Sequence, residues 1–237
     1  MPPRVIFLQA CNEVAAQLDG FRVLQKGQTL KKHSPDKSIE CQIHFQANRR
    51  NFACDITTQV HFSLHSKALQ KWQAAHGSPH VSGCLLQGEL SAFTPRQAHR
   101  DFGWQLAGAS LPHSVRQIVS ELQQYALPIF ELFCQPDAAL NFLQQHGTRF
   151  NGSLKNDNLR LSDYILCFGT PAQAARFWQQ YAADNPKSAK RLIALYQTLE
   201  NQIPPNPQDD SFAGADELKF AFAQGVRIPA WSAPKAA

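Results

Sequence analysis

Two windows of strict alternation dominate the chain. In Ile39-Glu40-Cys41-Gln42-Ile43-His44-Phe45-Gln46 the odd positions are apolar and the even ones polar. From Phe52 to Leu64 the even positions Phe52, Cys54, Ile56, Val60, Phe62 and Leu64 are apolar. A period of two predicts half-buried strands. Asn48-Arg49-Arg50-Asn51 reads as the turn between them. Facing Ala47 with Phe52 then sets Phe45 against Cys54 and Ile43 against Ile56, with every apolar residue on one face.

Upstream, Ser34-Pro35-Asp36-Lys37 is a second turn signal, because Pro presets a central dihedral and Asp bonds back to the backbone. Facing His33 with Ser38 sets Leu30 against Cys41 on the core side and Lys31 against Glu40 on the other. That other face carries Thr29, Lys31, His33, Glu40, Gln42, His44, Asp55, Thr57, Gln59 and His61, with His44 opposite Asp55.

Weaker strand patterns follow at Cys84 to Ala92 and Gly103 to Ala107, and a short helix is predicted from Ser66 to Trp72 with Gly77 beyond its end. From Leu111 the period becomes helical: Val115, Ile118, Val119, Leu122 and Tyr125 form a stripe up to Pro128. Pro136-Asp137 opens a helix closed by Gly147, Tyr164 to Phe168 reads as a short strand or turn, and Thr170-Pro171 and Lys187 to Gln202 mark two further helices. The aromatic and leucine stripes on these helices are core packing. The expected fold is α+β: an N-terminal helix, an antiparallel sheet of five or six strands, then a group of helices. Residues 1–203 form the expected single domain. The remaining 204–237 comprise a proline-rich linker, a segment with Leu218, Phe220, Phe222 and Val226 that docks as one more helix, and a frayed tail.

With 43% apolar residues in 237, the chain is long enough to bury a substantial core. No apolar run reaches the length of a membrane span, and the start at Met1-Pro2-Pro3 reads as a helix opening rather than a secretory leader. Cys11, Cys41, Cys54, Cys84, Cys134 and Cys167 are scattered, without Cys-x-x-Cys or Cys/His spacing, which describes buried thiols in a reducing cytoplasm and gives no metal or cofactor motif. The net charge of +5 is spread along the chain instead of forming the stripe of a nucleic-acid binder. Lys26, Lys31, Lys32, Lys37, Arg49 and Arg50 gather near the two hairpin turns, where they serve either as a phosphate or acidic-partner patch or as edge-strand protection.

Gly20-Phe21, Lys26-Gly27-Gln28-Thr29, Phe45-Gln46 and Leu127-Pro128-Ile129-Phe130-Glu131, followed by the Asp137 to Gln145 helix, resemble a bacterial family of unknown function. Leu30 stands where that pattern usually has an aromatic residue and Ile129 where it often has Trp. The resemblance carries no catalytic residues. By analogy with small families that accompany bacterial toxins, it implies an immunity-type protein that neutralises a toxin.

Two classes of function follow. A non-enzymatic protein-binding module would present the hairpin edge and sheet face to a protein partner, a toxin or a complex subunit, through Arg49, Arg50, Lys31, His44 and Asp55. An enzyme would instead bring His33, His44 or His61 together with Glu40 or Asp55 as a proton relay or metal shell. The first class leads. An ordinary solvated sheet face accounts for the same residues, and a weak nucleic-acid binder ranks last. No cofactor or membrane partner is expected, and oligomeric state leaves no trace in the sequence.

Overall fold

In the computed structural model, residues 1–94, 103–151, 159–202 and 211–232 are described. In chain order the elements are α1 (Pro3–Ala15), β1 (Arg22–Leu24), β2 (Thr29–His33), β3 (Ile39–Ala47), β4 (Thr57–Ser66), α2 (Lys67–His76), β5 (Cys84–Glu89), β6 (Trp104–Gln105), α3 (Ser110–Glu121), α4 (Leu127–Phe133), α5 (Pro136–His146), α6 (Leu161–Phe168), α7 (Pro171–Asp184), α8 (Pro186–Glu200) and α9 (Ala215–Ala223). They sort into two interleaved units. The first comprises Met1–Ser66, Cys84–Cys134 and Phe150–Asn156; the second comprises Lys67–Gly83, Gln135–Arg149 and Asp157–Ala237, in each case for the described residues.

The first unit holds the antiparallel sheet, in the order β1-β2-β3-β4-β5 with β6 also on β4. Alternation sorts its faces. Leu30, Ile39, Cys41, Ile43, Phe45, Val60, Phe62 and Leu64 are buried, as are Phe7, Cys11 and Val14 of α1, Val115 and Ile118 of α3, and Phe130 and Phe133 of α4. Burying so many apolar side chains, at roughly 25 cal/mol per Å² removed from water, is what holds helices and sheet together. The helix expected to stop at Pro128 continues through it. A wide π-helical turn at Leu122–Ala126 precedes the proline, which lacks an amide hydrogen and crowds the preceding turn of a regular α-helix.

The faces follow the sequence, but both hairpin registers differ from the expected ones. On the β2–β3 side His33 faces Glu40, Lys31 faces Gln42 and Leu30 faces Ile43. The Ser34-Pro35-Asp36-Lys37 turn forms, with Lys37 N–H donating to Ser34 O at 2.9 Å. Ser34 N donates to Ile39 O at 2.9 Å, so the four residues Pro35 to Ser38 join the strands, and the loop is closed internally by Asp36 Oδ1 accepting from Ser38 N at 3.1 Å and Ser34 Oγ accepting from Ile39 N at 3.0 Å.

On the β3–β4 side Ala47 faces Thr58, Phe45 faces Val60 and Ile43 faces Phe62, so His44 lies opposite His61 and not Asp55. The physical reason is Asn51. Its side-chain amide donates to Thr57 O at 3.0 Å and accepts from Thr57 N at 2.9 Å, imitating a strand backbone and excluding residues 52–56 from the ladder. Phe52 therefore stays 58% exposed and Cys54 is exposed, although both were expected in the core.

The second unit is helical among its described residues. Thr170 caps α7 with a reciprocal Thr170/Gln173 box, and Phe177 and Trp178 on that helix are fully buried. Tyr164 to Phe168, expected as a strand or turn, lies in α6, whose Leu161, Tyr164 and Ile165 share one buried stripe. Tyr196 on α8 is buried and its hydroxyl accepts from Ile228 N at 2.7 Å, while Trp231 packs edge-on against its ring. The Ile203 to Pro207 stretch, read as the linker, lies outside the described residues.

Candidate functional site

The half-exposed polar face of the sheet in the first unit brings together most of the residues expected there. Successive face positions on one strand are about 6.7 Å apart. Along β3 the face shows Glu40, Gln42, His44 and Gln46; along β4 it shows His65, Ser63, His61 and Gln59. Glu40 is a node: Lys31 Nζ reaches its Oε1 at 2.7 Å and His33 Nε2 its Oε2 at 3.2 Å. Burial raises the Glu40 carboxyl, but the Lys31 hydrogen bond and charge outweigh this, helped by His33 and His65, and hold it below the usual range.

Asp55 is absent from this constellation. It sits in the loop before β4 and accepts from Gln105 Nε2 at 2.9 Å. His65, opposite Glu40, and Glu89, opposite His61, complete the face instead. The signal for His65 was present in the alternation two steps beyond Ser63. Burial, then the neighbouring His61, lowers the His44 pKa, and burial lowers that of His65. The Nε2 atom of His61 is buried without a hydrogen-bond partner among the described residues.

Two grooves open on this face. One, of about 410 Å³, is lined by Gln46, Ala47, Asn48, Arg49, Arg50, Thr57, Thr58 and Gln59 at the β3–β4 tip. Asn48 Oδ1 accepts from Arg50 N at 2.9 Å and so shapes the turn that carries both arginines. Arg49 and Arg50 are exposed and form no ion pair among the described residues. The other groove, of about 640 Å³, is lined by Leu24, Gln25, Thr29, Lys31, Gln42 and His44.

A separate polar cluster in the second unit escaped sequence reasoning, since its members are far apart in the chain and fit no motif. Asp163 on α6 is 2% exposed. Its Oδ2 accepts from Ser78 Oγ at 2.7 Å and from Gln73 Nε2 at 3.0 Å. Gln73 Oε1 accepts from Gly83 N at 3.0 Å, Ser78 Oγ accepts from His80 N at 3.2 Å, and His80 Nε2 meets Glu217 Oε1 at 3.0 Å. Ser78 thus donates to a carboxylate and not to an imidazole, which does not make it the activated hydroxyl of a Ser-His-acid triad.

No group of three or more His, Cys, Asp or Glu among the described residues is arranged to hold a metal ion. Burial pushes the Cys11 thiol up to about 12 and those of Cys134 and Cys167 to about 11, so these cysteines are thiols at neutral pH and not primed nucleophiles. No described helix is long and apolar enough to cross a membrane.

Neither a curated protein nor a solved structure matches the chain. Residues 15–132, from the end of α1 into α4 and including every strand of the sheet, match the family described as "Domain of unknown function (DUF4304)". Over that span, which carries both grooves and the whole polar face, the chain belongs to this family of unknown function.

Proposed function

We propose that the protein is a non-enzymatic binding module whose polar sheet face receives an extended, acidic segment of a protein partner. The observation that carries this reading is the pair Arg49 and Arg50, exposed and unpaired at the rim of the 410 Å³ groove. An exposed guanidinium presents a fork of donors that matches a carboxylate, so two without a counter-ion beside a concave surface supply both charge and geometry for an acidic side chain. The net charge of +5 acts in the same direction.

The rest of the face suits main chain. The side-chain amides of Gln42, Gln46 and Gln59 make no hydrogen bond among the described residues, and each offers a donor and an acceptor. Gln42 and Gln46 are two face positions apart on β3, a separation of about 13 Å that a segment of four residues spans when extended. Six free cysteines support a reducing, cytoplasmic setting. Neutralisation of a bacterial toxin is the immunity-type form of this reading, with the acidic segment belonging to the toxin.

The test uses a labelled, acetylated and amidated peptide of alternating glutamate and serine, followed by fluorescence anisotropy. Binding should weaken with salt, fail for the lysine-for-glutamate analogue, and fall at least tenfold in Arg49→Glu/Arg50→Glu, whose circular dichroism stays that of the parent. Equal binding by parent and double variant would remove this surface from consideration.

A further inference from the structure

The 640 Å³ groove is assembled around a turn that the backbone does not adopt freely. Gln25 and Lys26 both take left-handed angles, φ 51° and 58°, before Gly27 at φ 97°. Two consecutive non-glycine residues in that region are strained and persist only where surroundings enforce them. Asn12 on α1 is the enforcer: its Nδ2 donates to Lys26 O at 3.4 Å and to Leu8 O at 2.8 Å. A Cβ on Gly27 would come within 2.6 Å of Asn12 Oδ1, so only glycine admits this clamp.

The clamped turn places Gln25 beside Thr29, and a short relay follows. Thr29 Oγ1 donates its single proton to Gln25 Oε1 at 2.9 Å. Its 3.0 Å contact with His44 Nδ1 is therefore a donation from the ring N–H. This fixes the tautomer: neutral His44 keeps its lone pair on Nε2, the nitrogen turned away from Thr29. Protonation leaves the relay intact, because Nδ1–H still donates to Thr29, and converts Nε2 from an acceptor into a cationic donor.

The other groups in the groove are mostly donors. Lys31 Nζ spends one N–H on Glu40 and keeps two; Gln25 and Gln42 each have a free amide NH₂. Leu24 forms the apolar wall. Thr29 faces His44 from β2, with Lys31 one row further, opposite Gln42, and His33 a second row on, opposite Glu40; Glu40 lies on the same strand as His44; His61 and His65 lie on β4, and Glu89 on β5 opposite His61. Glu40 is held by Lys31 and His33 together and so is not a counter-ion for His44. Partial burial, then the adjacent His61, lowers the pKa of the unliganded ring.

We propose that this groove is a carboxylate subsite in which His44 takes a proton from solvent as an acidic side chain of the bound segment docks. The proposal rests on the reading of the sheet face as a receptor for an acidic segment and adds a second anchor to it, separate from Arg49 and Arg50. The incoming carboxylate supplies the counter-charge that the fold withholds from His44, so binding and protonation stabilise one another.

The experiment is calorimetric titration of the glutamate/serine peptide into the full chain at pH 7, in two buffers of different ionisation enthalpy, repeated from pH 8 to pH 6. A net uptake approaching one proton per bound peptide is expected, with affinity rising up to tenfold per pH unit as pH falls. His44→Gln should still bind through Arg49 and Arg50 but with neither proton uptake nor pH dependence. Binding by the parent without proton exchange overturns this inference and leaves the Arg49/Arg50 surface standing, as does uptake that persists in His44→Gln. Absence of peptide binding at every pH overturns both.

Discussion

The polar sheet face of the first unit and the polar cluster of the second hold the same kinds of group in opposite states of completion. Around Asp163 most donors and acceptors are consumed by the fold: Gln73 uses both ends of its amide, Ser78 donates and accepts, and His80 is matched to Glu217, while Asp163 Oδ1 alone of these atoms is buried without a hydrogen-bond partner among the described residues. On the sheet face Gln42, Gln46, Gln59, Arg49, Arg50 and the outer nitrogen of His44 remain unspent. Buried polar groups whose partners are all internal explain themselves as part of the fold. Open valences on a half-exposed surface are met from outside the fold, by water or, under the reading proposed above, by a ligand.

The contrast is broken or sharpened most strongly by matched amide deletions. Gln73→Leu would leave Gly83 N–H without its partner and take one of the two hydrogen bonds from Asp163 Oδ2 in a fully buried place, and should lower unfolding free energy by about 3 kcal/mol in urea titration. Gln42→Leu on the open face removes an amide that the fold does not use, and should change stability by less than about 0.5 kcal/mol. Comparable costs at the two positions would erase the distinction. Charge reversal at Arg49 and Arg50 is the complementary case, since a loss of at least tenfold in peptide binding should come with stability unchanged within about 0.5 kcal/mol.

A subtler probe is the pH dependence that Asp163 gives the fold. Burial, opposed by the Ser78 and Gln73 hydrogen bonds, raises its pKa above the ordinary 3.8. A carboxyl raised in the folded state contributes most below its unfolded pKa, and that contribution is lost as pH rises through the folded value. Asp163→Asn cannot ionise, so its unfolding free energy should fall less than that of the parent between pH 4 and the raised folded pKa. Parallel profiles for parent and variant would show that Asp163 titrates as in the unfolded chain.

How much of this was legible in sequence follows from the same contrast. Alternation assigned the faces of β2, β3 and β4 correctly because a strand has only two sides. It could not set register, because shifts by an even number of residues keep every apolar side chain inside. The choice was made by side chains in the turns, Asp36 and above all Asn51, whose amide stands in for a strand backbone. The same limit put His44 opposite Asp55. Helix stripes in α3 and α8 were readable from their spacing, whereas α6 was not, since Tyr164 to Phe168 is apolar on all sides and short enough to suit either period. Ser78, His80, Asp163 and Glu217 meet only through tertiary packing, so nothing local announced them.

The smallest effect expected is at the Lys31–Glu40 pair of the open face. Lys31 and Glu40 are 2.7 Å apart but 31% and 25% exposed, so solvent screens the pair and side-chain entropy offsets much of its attraction. Lys31→Gln should therefore cost under about 0.5 kcal/mol at pH 7. Its signature is on the acid side. Glu40 is held below its ordinary pKa chiefly against burial by Lys31, and a lowered carboxyl contributes stability above its unfolded pKa that disappears as pH falls through the folded value. In Lys31→Gln that acid loss should become shallower in a urea series below pH 5, while His33 retains a part of it through its contact with Glu40. A cost above about 2 kcal/mol at neutral pH would mean that the face is as internally committed as the cluster around Asp163, and its unspent groups would then have to be reinterpreted as parts of the fold.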